Sequence, residues 1–582
     1  MTSPRLRAAI LLLMGGLLAG AGPASAQTGS YDDYLDYDGL TRLLRSVEDS
    51  RAASLEILGR TAEGREVWLV TLSGRGEADA KPAMLVTANL EANHLIGSMT
   101  ALYLADHLAS RYGSDQAVTD LLDRRTVYVI PRLNPDGAEW FFTRPGLEMP
   151  FKPDPEDEDR DGEADEDGGD DLNGDGLVTM MRVRDPEGVW MSDPDDERLM
   201  KRADRSRGER GTYTLYTEGI DDDGDGEYNE DGPGGTHLNM NWPHEYPFYQ
   251  DHAGPHQVSE VETRALADFT FTHPNITLFL TFSPYDNLLQ VPQGTRERQA
   301  QVNIPEGMEI PPGVSMEEVR NYFRQQSAPS GILSQDADYL AWFSDEFDEI
   351  TGLSGSGASG ARGAWHDFAY FQLGRISLTT PVWTLPRGAE ETGPRGRPTA
   401  RGPSSDEKAW LAWFEAAGVD GFVGWTPVDH PQLGQVEVGG FVPNIRTNPP
   451  PAEIAELARK HAEFAVWAGD QLPSVELLET AAETRGDGIF LVKAVVVNEG
   501  YLPTATAMGL RSRTAPPVTL RLEPGDFDVL TGNIQDQVRN LQGSGGRSTV
   551  EWLVKAPAGT RIQLTVLAPQ AGGTITRTIT LR

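Results

Sequence analysis

Buried strands alternate with helices along two long stretches of this chain, and that alternation limits its fold more than any other feature. The strands are EVWLVTL (residues 66–72), KPAMLVTA (81–88) and TVYVI (126–130), with helical patterns before and between them. Apolar strands separated by helices form sheets with parallel members, covered by helices on both faces. The pattern stops at residues 146–235 and then resumes. The sequence therefore predicts an α/β domain over residues 31–473.

From about residue 486 the pattern changes to short alternating strands. The segments FLVKAVVVNEG, VTLRLEP, STVEWLVKAP and RIQLTVLAP are separated by turn residues and lack helical periodicity. This spacing of strands and turns is typical of a small antiparallel sandwich. We therefore expect a β-sandwich domain over residues 486–582, in which no residue pattern indicates catalysis.

Charge and cysteine content exclude several kinds of function. The 582-residue chain carries 50 Lys and Arg against 88 Asp and Glu, a formal net charge of −38. Nucleic acids and anionic membranes both attract basic surfaces, so neither is an expected partner. The chain has no cysteine, which excludes disulfides, thiolate zinc clusters and cysteine nucleophiles.

Residues 1–26 have the organisation of a secretory signal peptide. Arg5 and Arg7 precede a leucine-rich apolar run at residues 8–21, and ASA at residues 24–26 supplies the small residues of a cleavage site. The run is short for a membrane span, which needs about 20 apolar residues. A retained N-terminal anchor is the alternative. We expect a secreted or periplasmic protein without a membrane span in the mature chain.

The interruption at residues 146–235 is acidic and contains a repeat. DRDGEADEDG (159–168) and DGDGEYNEDG (223–232) share seven of ten positions. Alternating oxygen-bearing side chains followed by glycine suit a hard cation, so we predict calcium loops, although the Glu that closes an EF-hand is missing. The alternative is a solvated acidic spacer. The candidate calcium ligands are Asp157, Asp159, Asp161, Asp165, Asp171, Asn173, Asp175, Asp221, Asp223, Asp225, Asn229 and Asp231.

Several further motifs occur in a recognisable order. LGRTAEGREVWLV (58–70) leads into a strand, NPDG (134–137) follows a buried strand, and HLNMNWP (237–243) follows the acidic interruption. Together with SEVET (259–263) and SLTTPVW (377–383), these motifs resemble those of the zinc carboxypeptidases of the carboxypeptidase A type. The resemblance covers the whole predicted α/β domain. It implies a mixed eight-stranded sheet with helices on both faces.

The resemblance also implies a catalytic zinc, held by an HxxE motif and a third histidine, with a glutamate as the base. Here the HxxE positions carry Glu91 and His94, so the order of the two residue types is reversed. Phe282 occupies the third-ligand position, and Pro381 occupies the position of the catalytic glutamate. Neither side chain can perform the family role. The pattern therefore predicts a degraded metal and catalytic site.

Other family positions around that site are changed as well. The arginine that binds the substrate carboxylate is replaced by Met240, whereas Asn239 keeps the family identity and is a predicted substrate-binding residue. Arg182 is a candidate for the arginine that stabilises the oxyanion. His237 takes the place of the aspartate that hydrogen-bonds the first zinc histidine, so we expect it to contact Glu91.

The sequence is compatible with three functions. The favoured one is a zinc carboxypeptidase-family protein without hydrolytic activity, in a peptide-binding or structural role. The second is an active metallocarboxypeptidase that removes C-terminal residues with a non-standard zinc site made of Glu91, His94 and His237. The third is a calcium-dependent adhesion or scaffold protein, in which the acidic segment and the sandwich dominate. The expected partner is a peptide or a protein.

Overall fold

The computed structural model describes most of the chain beyond the predicted signal peptide. The described residues are 31–155, 164–165, 167–222, 224, 226, 228–229, 233–294, 331–355, 357–358, 360, 362–385 and 403–582. Within these ranges, no helix is both long and apolar enough to cross a membrane.

A mixed sheet forms the centre of the α/β part. Its strands are β1 (Ala53–Arg60), β2 (Glu66–Ser73), β3 (Ala83–Ala88), β4 (Thr126–Ile130), β11 (Ile276–Phe282) and β12 (Ile376–Thr380). Their spatial order is β1-β2-β4-β3-β11-β12. The pairs β1–β2 and β2–β4 are antiparallel, whereas β4, β3, β11 and β12 run parallel. The mixed character agrees with the prediction, but the described residues supply six strands to this sheet, so the expected count of eight is not confirmed.

Helices cover both faces of the central sheet. The helices in the described ranges are α1 (Tyr37–Val47), α2 (Leu95–Arg111), α3 (Gln116–Arg124), α4 (Pro135–Glu139), α5 (Val261–Thr272), α6 (Ser334–Thr351), α7 (Trp365–Phe371), α8 (Pro403–Ala417), α9 (Pro451–Asp470) and α10 (Ala507–Ser512). Met84 and Val86 of β3 face a core shared with α2, α6 and α9, whereas Leu85 faces a second core shared with α5 and α7. Because successive side chains of a strand point to opposite faces, these two cores lie on opposite sides of the sheet.

The acidic interruption contributes to a second, antiparallel sheet. Its strands, in spatial order, are β13 (Phe422–His430), β14 (Gly434–Phe441), β6 (Met180–Arg184), β9 (Tyr213–Thr217), β7 (Trp190–Ser192) and β8 (Met200–Arg202). Met181, Val436 and Val438 form its buried core. Two short strands, β5 (Lys152–Pro153) and β10 (Gly235–Thr236), pair where the segment leaves and rejoins the α/β part. A hairpin far downstream therefore completes the fold of this segment.

The C-terminal part consists of two four-stranded sheets. One contains β15 (Val475–Gly486), β16 (Ile489–Asn498), β20 (Gly546–Lys555) and β18 (Asp528–Thr531). The other contains β19 (Gln535–Val538), β17 (Val518–Leu522), β21 (Arg561–Ala568) and β22 (Gly573–Thr580). Their inner faces share one apolar core around Trp552 and Leu564. Two sheets around one core make a β-sandwich, and its first strand begins at Val475, before the predicted boundary at residue 486.

Candidate functional site

The carboxyl ends of three parallel strands bring the predicted site residues to one edge of the central sheet. Glu91 lies just after β3, Ser283 directly follows β11, and Pro381 directly follows β12. His94 immediately precedes α2, and Asn239 lies in a short 3₁₀ turn. In α/β sheets, ligands commonly bind outside the carboxyl ends of the strands. This edge is therefore the candidate functional site.

Glu91 is buried and hydrogen-bonded to two neutral side chains. Its Oε1 accepts hydrogen bonds from Asn239 Nδ2 at 2.7 Å and from Ser283 Oγ at 3.0 Å, and only 3% of the residue is exposed. Its Oε2 has no hydrogen-bond partner among the described residues. Burial raises the pKa of Glu91 to about 7, against the opposing effect of the hydrogen bonds. The carboxyl group is therefore partly protonated at neutral pH.

Asn239 connects this carboxyl group to helix α7. Its Oδ1 accepts a hydrogen bond from the backbone N–H of Trp365 at 2.7 Å, and its Nδ2 also lies 3.3 Å from Ser283 Oγ. The amide therefore has protein partners for both its oxygen and its nitrogen. These contacts position Glu91 and the start of α7, and the role of Asn239 in substrate binding stays a prediction.

His94 is held against the backbone at the ends of the neighbouring strands. Its Nε2 lies 3.0 Å from the carbonyl oxygen of Pro381, whereas its Nδ1 has no partner among the described residues. Burial lowers the pKa of His94 to about 4, so the imidazole is neutral and its Nε2–H donates to that carbonyl. Gly97 leaves room for the ring, because a Cβ at that position would lie 2.6 Å from Nδ1.

The other two positions of the family zinc site carry groups with different contacts. Phe282 is fully buried, and its ring lies edge-on to that of His461 with 6.0 Å between the centroids. The expected contact between His237 and Glu91 is not formed, since the hydrogen bonds to that carboxyl group come from the two neutral side chains. The Nδ1 atom of His237 has no hydrogen-bond partner within the described ranges.

The residues at this edge do not fit a zinc centre of the family type. Such a centre needs three protein ligands with free lone pairs around one point. No group of three or more His, Asp or Glu side chains in the described part of the chain is placed to hold a metal ion. Glu91 Oε1 already accepts two hydrogen bonds, and Phe282 presents only a hydrocarbon ring. A non-standard zinc site made of Glu91, His94 and His237 therefore stays a prediction.

Arg182 lies in the second sheet. It belongs to β6, where its Nε is 3.0 Å from Glu437 Oε2 and its guanidinium lies 4.5 Å from the ring centroid of Trp425. Glu437 and Trp425 belong to β14 and β13, so these contacts hold the guanidinium within that sheet. A role for Arg182 in stabilising an oxyanion stays a prediction, and these contacts do not support it.

Two residues of the candidate site, Ser283 and Tyr285, were missed in the sequence. Ser283 supplies one of the two hydrogen bonds to Glu91. Burial, and secondarily the charge of Glu91, raises the pKa of Tyr285, so its phenol keeps its proton at neutral pH. The available signal was their place in FSPYD, directly after Phe282 at the third-ligand position of the family.

The two acidic repeats contact each other in the described part of the insertion. Asp167 is buried and accepts hydrogen bonds from the backbone N–H groups of Asp222 at 3.0 Å and of Asn229 at 2.6 Å. Asp171 accepts hydrogen bonds from the backbone N–H groups of Gly174 and Gly176, which closes the short loop between the repeats. Backbone N–H groups also donate to the side chains of Asp165, Asn173, Asp175 and Asp221. The remaining candidate calcium ligands lie outside the described residues: Asp157, Asp159, Asp161, Asp223, Asp225 and Asp231.

Known proteins similar to this chain are carboxypeptidases. The chain is 25% identical over 237 residues to carboxypeptidase A2 of Mus musculus. The aligned region covers 41% of this chain and 40% of that protein. It is 31% identical over 127 residues to carboxypeptidase D of Anas platyrhynchos. That aligned region covers 21% of this chain and 9% of the other protein. The chain therefore spans less than half the length of these curated relatives.

A solved structure and two family models also match parts of this chain. The crystal structure of thrombin activatable fibrinolysis inhibitor aligns with 76% of this chain and 77% of the other, at 13% identity and a TM-score of 0.39. A domain of unknown function (DUF8731) matches residues 474–580. The model described as zinc carboxypeptidase matches residues 40–384. Because that match includes more than half of the chain, this protein belongs to the zinc carboxypeptidase family.

Proposed function

We propose that this chain is a member of the zinc carboxypeptidase family without hydrolytic activity, and that it binds peptides or serves a structural role. The observation that carries the proposal is the environment of Glu91, at the position of the first zinc ligand. Its carboxyl group accepts hydrogen bonds from Asn239 and Ser283, and its pKa of about 7 keeps it partly neutral. A carboxylate must be deprotonated to bind zinc, so the burial that raises this pKa opposes metal binding, and the two hydrogen bonds occupy Oε1.

Two substitutions support the same proposal from the chemistry of peptide hydrolysis. A general base contributes about 10²–10⁴-fold to the rate, and a metal acting as a Lewis acid contributes several kcal/mol of transition-state stabilisation. Pro381 stands at the position of the base and Phe282 at that of a metal ligand. Neither side chain has a proton acceptor or a donor atom for a metal. This edge therefore lacks two of the groups on which hydrolysis in the family depends.

Release of C-terminal residues from a peptide library tests this proposal. We expect no release above the background without protein, either with added zinc or with a chelator, and the same result for Glu91→Ala. Calorimetry with the same library separates the two roles, because heat of binding indicates a peptide-binding protein and its absence a structural one. Peptide release that zinc supports and a chelator abolishes would contradict the proposal.

One observation favours the second candidate, an active metallocarboxypeptidase with non-standard ligands. Glu91 Oε2, His94 Nδ1 and His237 Nδ1 all lack hydrogen-bond partners among the described residues, and unsatisfied buried polar atoms are a feature that a bound ion explains. Zinc-dependent peptide release would favour this candidate if it disappears in His94→Ala and His237→Ala. The matched control is His256→Ala, because His256 is exposed.

We also propose that the acidic insertion binds calcium and is ordered by it. The hydrogen bonds from the backbone N–H groups of Asp222 and Asn229 to Asp167 support this, because they hold two strongly acidic segments beside each other, and such segments repel each other without a cation. We expect millimolar calcium to raise the unfolding temperature relative to a chelator, and Asp171→Asn with Asp175→Asn to reduce that rise. An adhesion or scaffold role would require this response. An unfolding temperature that calcium does not change would contradict calcium binding.

Export completes the proposed function and rests on the sequence of residues 1–26 alone. Their basic start, apolar run and small residues before Gln27 favour cleavage by a signal peptidase. N-terminal sequencing of the protein recovered outside the cytoplasm is the test. A chain that begins at Gln27 would support export with cleavage, and a chain that begins at Met1 would contradict it.

A further inference from the structure

A pocket of about 380 Å³ lies in the C-terminal part of the chain, between α10 and strand β19 of the sandwich. Leu510 and Arg513 line it from α10 and its C-terminal end, and Gln537 and Arg539 line it from the end of β19. Gln537 points away from the sandwich core, because its neighbour Val538 packs against that core. A pocket of this size can hold a small organic molecule.

The α10 wall of the pocket is fixed by hydrogen bonds to the α/β part. Asp336 accepts hydrogen bonds from the backbone N–H groups of Ala507 and Met508 at 2.8 and 3.0 Å. Thr506 Oγ1 donates to the carbonyl oxygen of Gly374 at 2.8 Å. These bonds dock α10 onto the α/β part, so this wall is in place before a ligand binds.

The charged residues that line the pocket are two arginines. Arg513 and Arg539 are both exposed, and neither guanidinium has an ion pair or a hydrogen bond with any residue that the structure describes. Arg521, on the same outer face of the neighbouring strand β17, instead lies 2.8 Å from Glu523. Within the described ranges, no acidic residue lines the pocket. The pocket is therefore locally positive in a chain of net charge −38.

Acceptor groups of the chain beside the pocket have partners of their own. The carbonyl oxygen of Gly509 accepts hydrogen bonds from the backbone N–H groups of Thr514 and Ala515 at 3.2 and 3.3 Å. The carboxylate of Asp536 accepts a hydrogen bond from the backbone N–H of Gln537 at 2.9 Å. Successive side chains of a strand point to opposite faces, so Asp536 and Gln537 lie on different faces of β19. The two guanidinium groups are therefore available to a ligand.

The backbone of Arg513 has a conformation that favours glycine. Arg513 is the C-cap of α10, with φ 60° and ψ 27°. Glycine or asparagine is usual at such a position, because a larger side chain is strained there. Since the Arg513 side chain is exposed, packing does not explain an arginine at this place, whereas a role in ligand binding does.

We propose that this pocket binds an organic oxyanion, a carboxylate or phosphate group attached to a small apolar body. Guanidinium groups suit such a ligand, because each can donate two parallel hydrogen bonds to its oxygens. Leu510, which is 40% exposed, and Pro517 offer apolar contacts to the body of the ligand. Most of the surface of so acidic a chain repels anions, so two arginines without a lining carboxylate give an anion a specific place to bind.

Saturation-transfer NMR with the full chain tests the site with three probes: benzoate, phenyl phosphate and the neutral benzamide. We expect transfer to at least one of the two anions and none to benzamide, and weaker binding of the anion at high salt. Binding of either anion supports the proposal, and the tighter of the two identifies the oxyanion that the pocket prefers.

Two variants locate the binding. Arg513→Met and Arg539→Met each remove one guanidinium and keep a long side chain, and each should weaken anion binding by about fivefold or more. Both residues are exposed, so the variants should unfold at the same temperature as the unaltered chain. Arg521→Met is the matched control, because it removes the same charge from the same outer face, and anion binding should persist in it.

Crystals of the unaltered protein soaked with 4-bromobenzoate give a test that does not depend on any variant. We expect an anomalous bromine peak in the pocket, with the carboxylate beside Arg513 and Arg539. An empty pocket after the soak, no transfer to either anion, or equal transfer to benzamide would overturn the proposal. Anion binding that persists in both variants, or that Arg521→Met weakens equally, would do the same, because the anion would then respond to overall charge and not to the pocket.

Discussion

Replacing Glu91 by glutamine should stabilise this protein at neutral pH, and the gain should vanish in acid. Burial raises the pKa of Glu91 from an ordinary value of 4.5 to about 7 in the folded chain. The folded chain therefore holds the proton more tightly than the unfolded chain does. The stabilising effect of that proton is full below about pH 4.5 and is lost as the pH rises through about 7.

The size of the effect follows from the two pKa values. A shift from 4.5 to about 7 corresponds to about 3 kcal/mol of unfolding free energy, at about 1.4 kcal/mol for each pH unit. Glutamine has the shape of the protonated acid, and its Oε1 can accept the same hydrogen bonds from Asn239 and Ser283. We expect Glu91→Gln to be more stable than the unaltered chain by up to about 3 kcal/mol at pH 8, and equally stable near pH 4.5.

Urea unfolding followed by tryptophan fluorescence, between about pH 4.5 and about pH 8.5, measures this difference. Glu551→Gln controls for the loss of a negative charge, because Glu551 is exposed on the sandwich. A zinc ligand at position 91 predicts the opposite sign, since the substitution would then remove bound metal and destabilise the chain most at neutral pH. That outcome, or a difference that does not change with pH, would refute the reasoning.

Three further substitutions test the packing around the site and the sandwich. Trp552→Ala removes a fully buried indole from the sandwich core and should lower the unfolding free energy by about 3–5 kcal/mol in urea; a loss below about 1 kcal/mol would count against that core. Asp336→Ala leaves two backbone N–H groups of α10 without their acceptor and should destabilise the chain by about 2 kcal/mol or more. Calorimetry should then show the sandwich unfolding separately, and an unchanged single transition would contradict the docking role. Gly97→Ala places a Cβ 2.6 Å from His94 Nδ1 and should shift the NMR signals of that imidazole; unchanged signals would show that the ring does not depend on this space.

The central sheet could be predicted from sequence because buried parallel strands are apolar along their whole length. Every residue of AMLVTA in β3 and of TVYVI in β4 is buried. Helices between such strands leave few arrangements other than a layered α/β fold. The resemblance to zinc carboxypeptidases, carried by NPDG and HLNMNWP, is confirmed by the match over residues 40–384.

The hydrogen-bond partners of Glu91 could not be predicted in this way. Asn239 and Ser283 lie 148 and 192 residues from it in the chain, and nothing local in the sequence favours them over His237. The sequence suggested an imidazole partner because the family pairs an acid and a histidine at these positions. Which side chain reaches a buried carboxyl group depends on the packing of separate elements at the sheet edge, and residue types alone do not determine that packing.

The second sheet was also missed, for a related physical reason. Its strands β6 to β9 are short and lie in acidic sequence, so neither length nor hydrophobic alternation distinguishes them from loops. They are ordered by pairing with the hairpin of β13 and β14, which lies beyond β12 in the chain. Local patterns cannot reveal a sheet whose strands are so far apart in sequence.

Zinc content is the measurement that most directly tests whether Glu91 is a hydrogen-bonded acid or a metal ligand. The purified chain is dialysed with zinc, freed of unbound metal and analysed by mass spectrometry, beside Glu91→Ala and His94→Ala. We expect far less than one zinc per chain, with no difference among the three proteins. About one zinc per chain in the unaltered protein, lost in both variants, would contradict this assignment and restore a metal centre to the site.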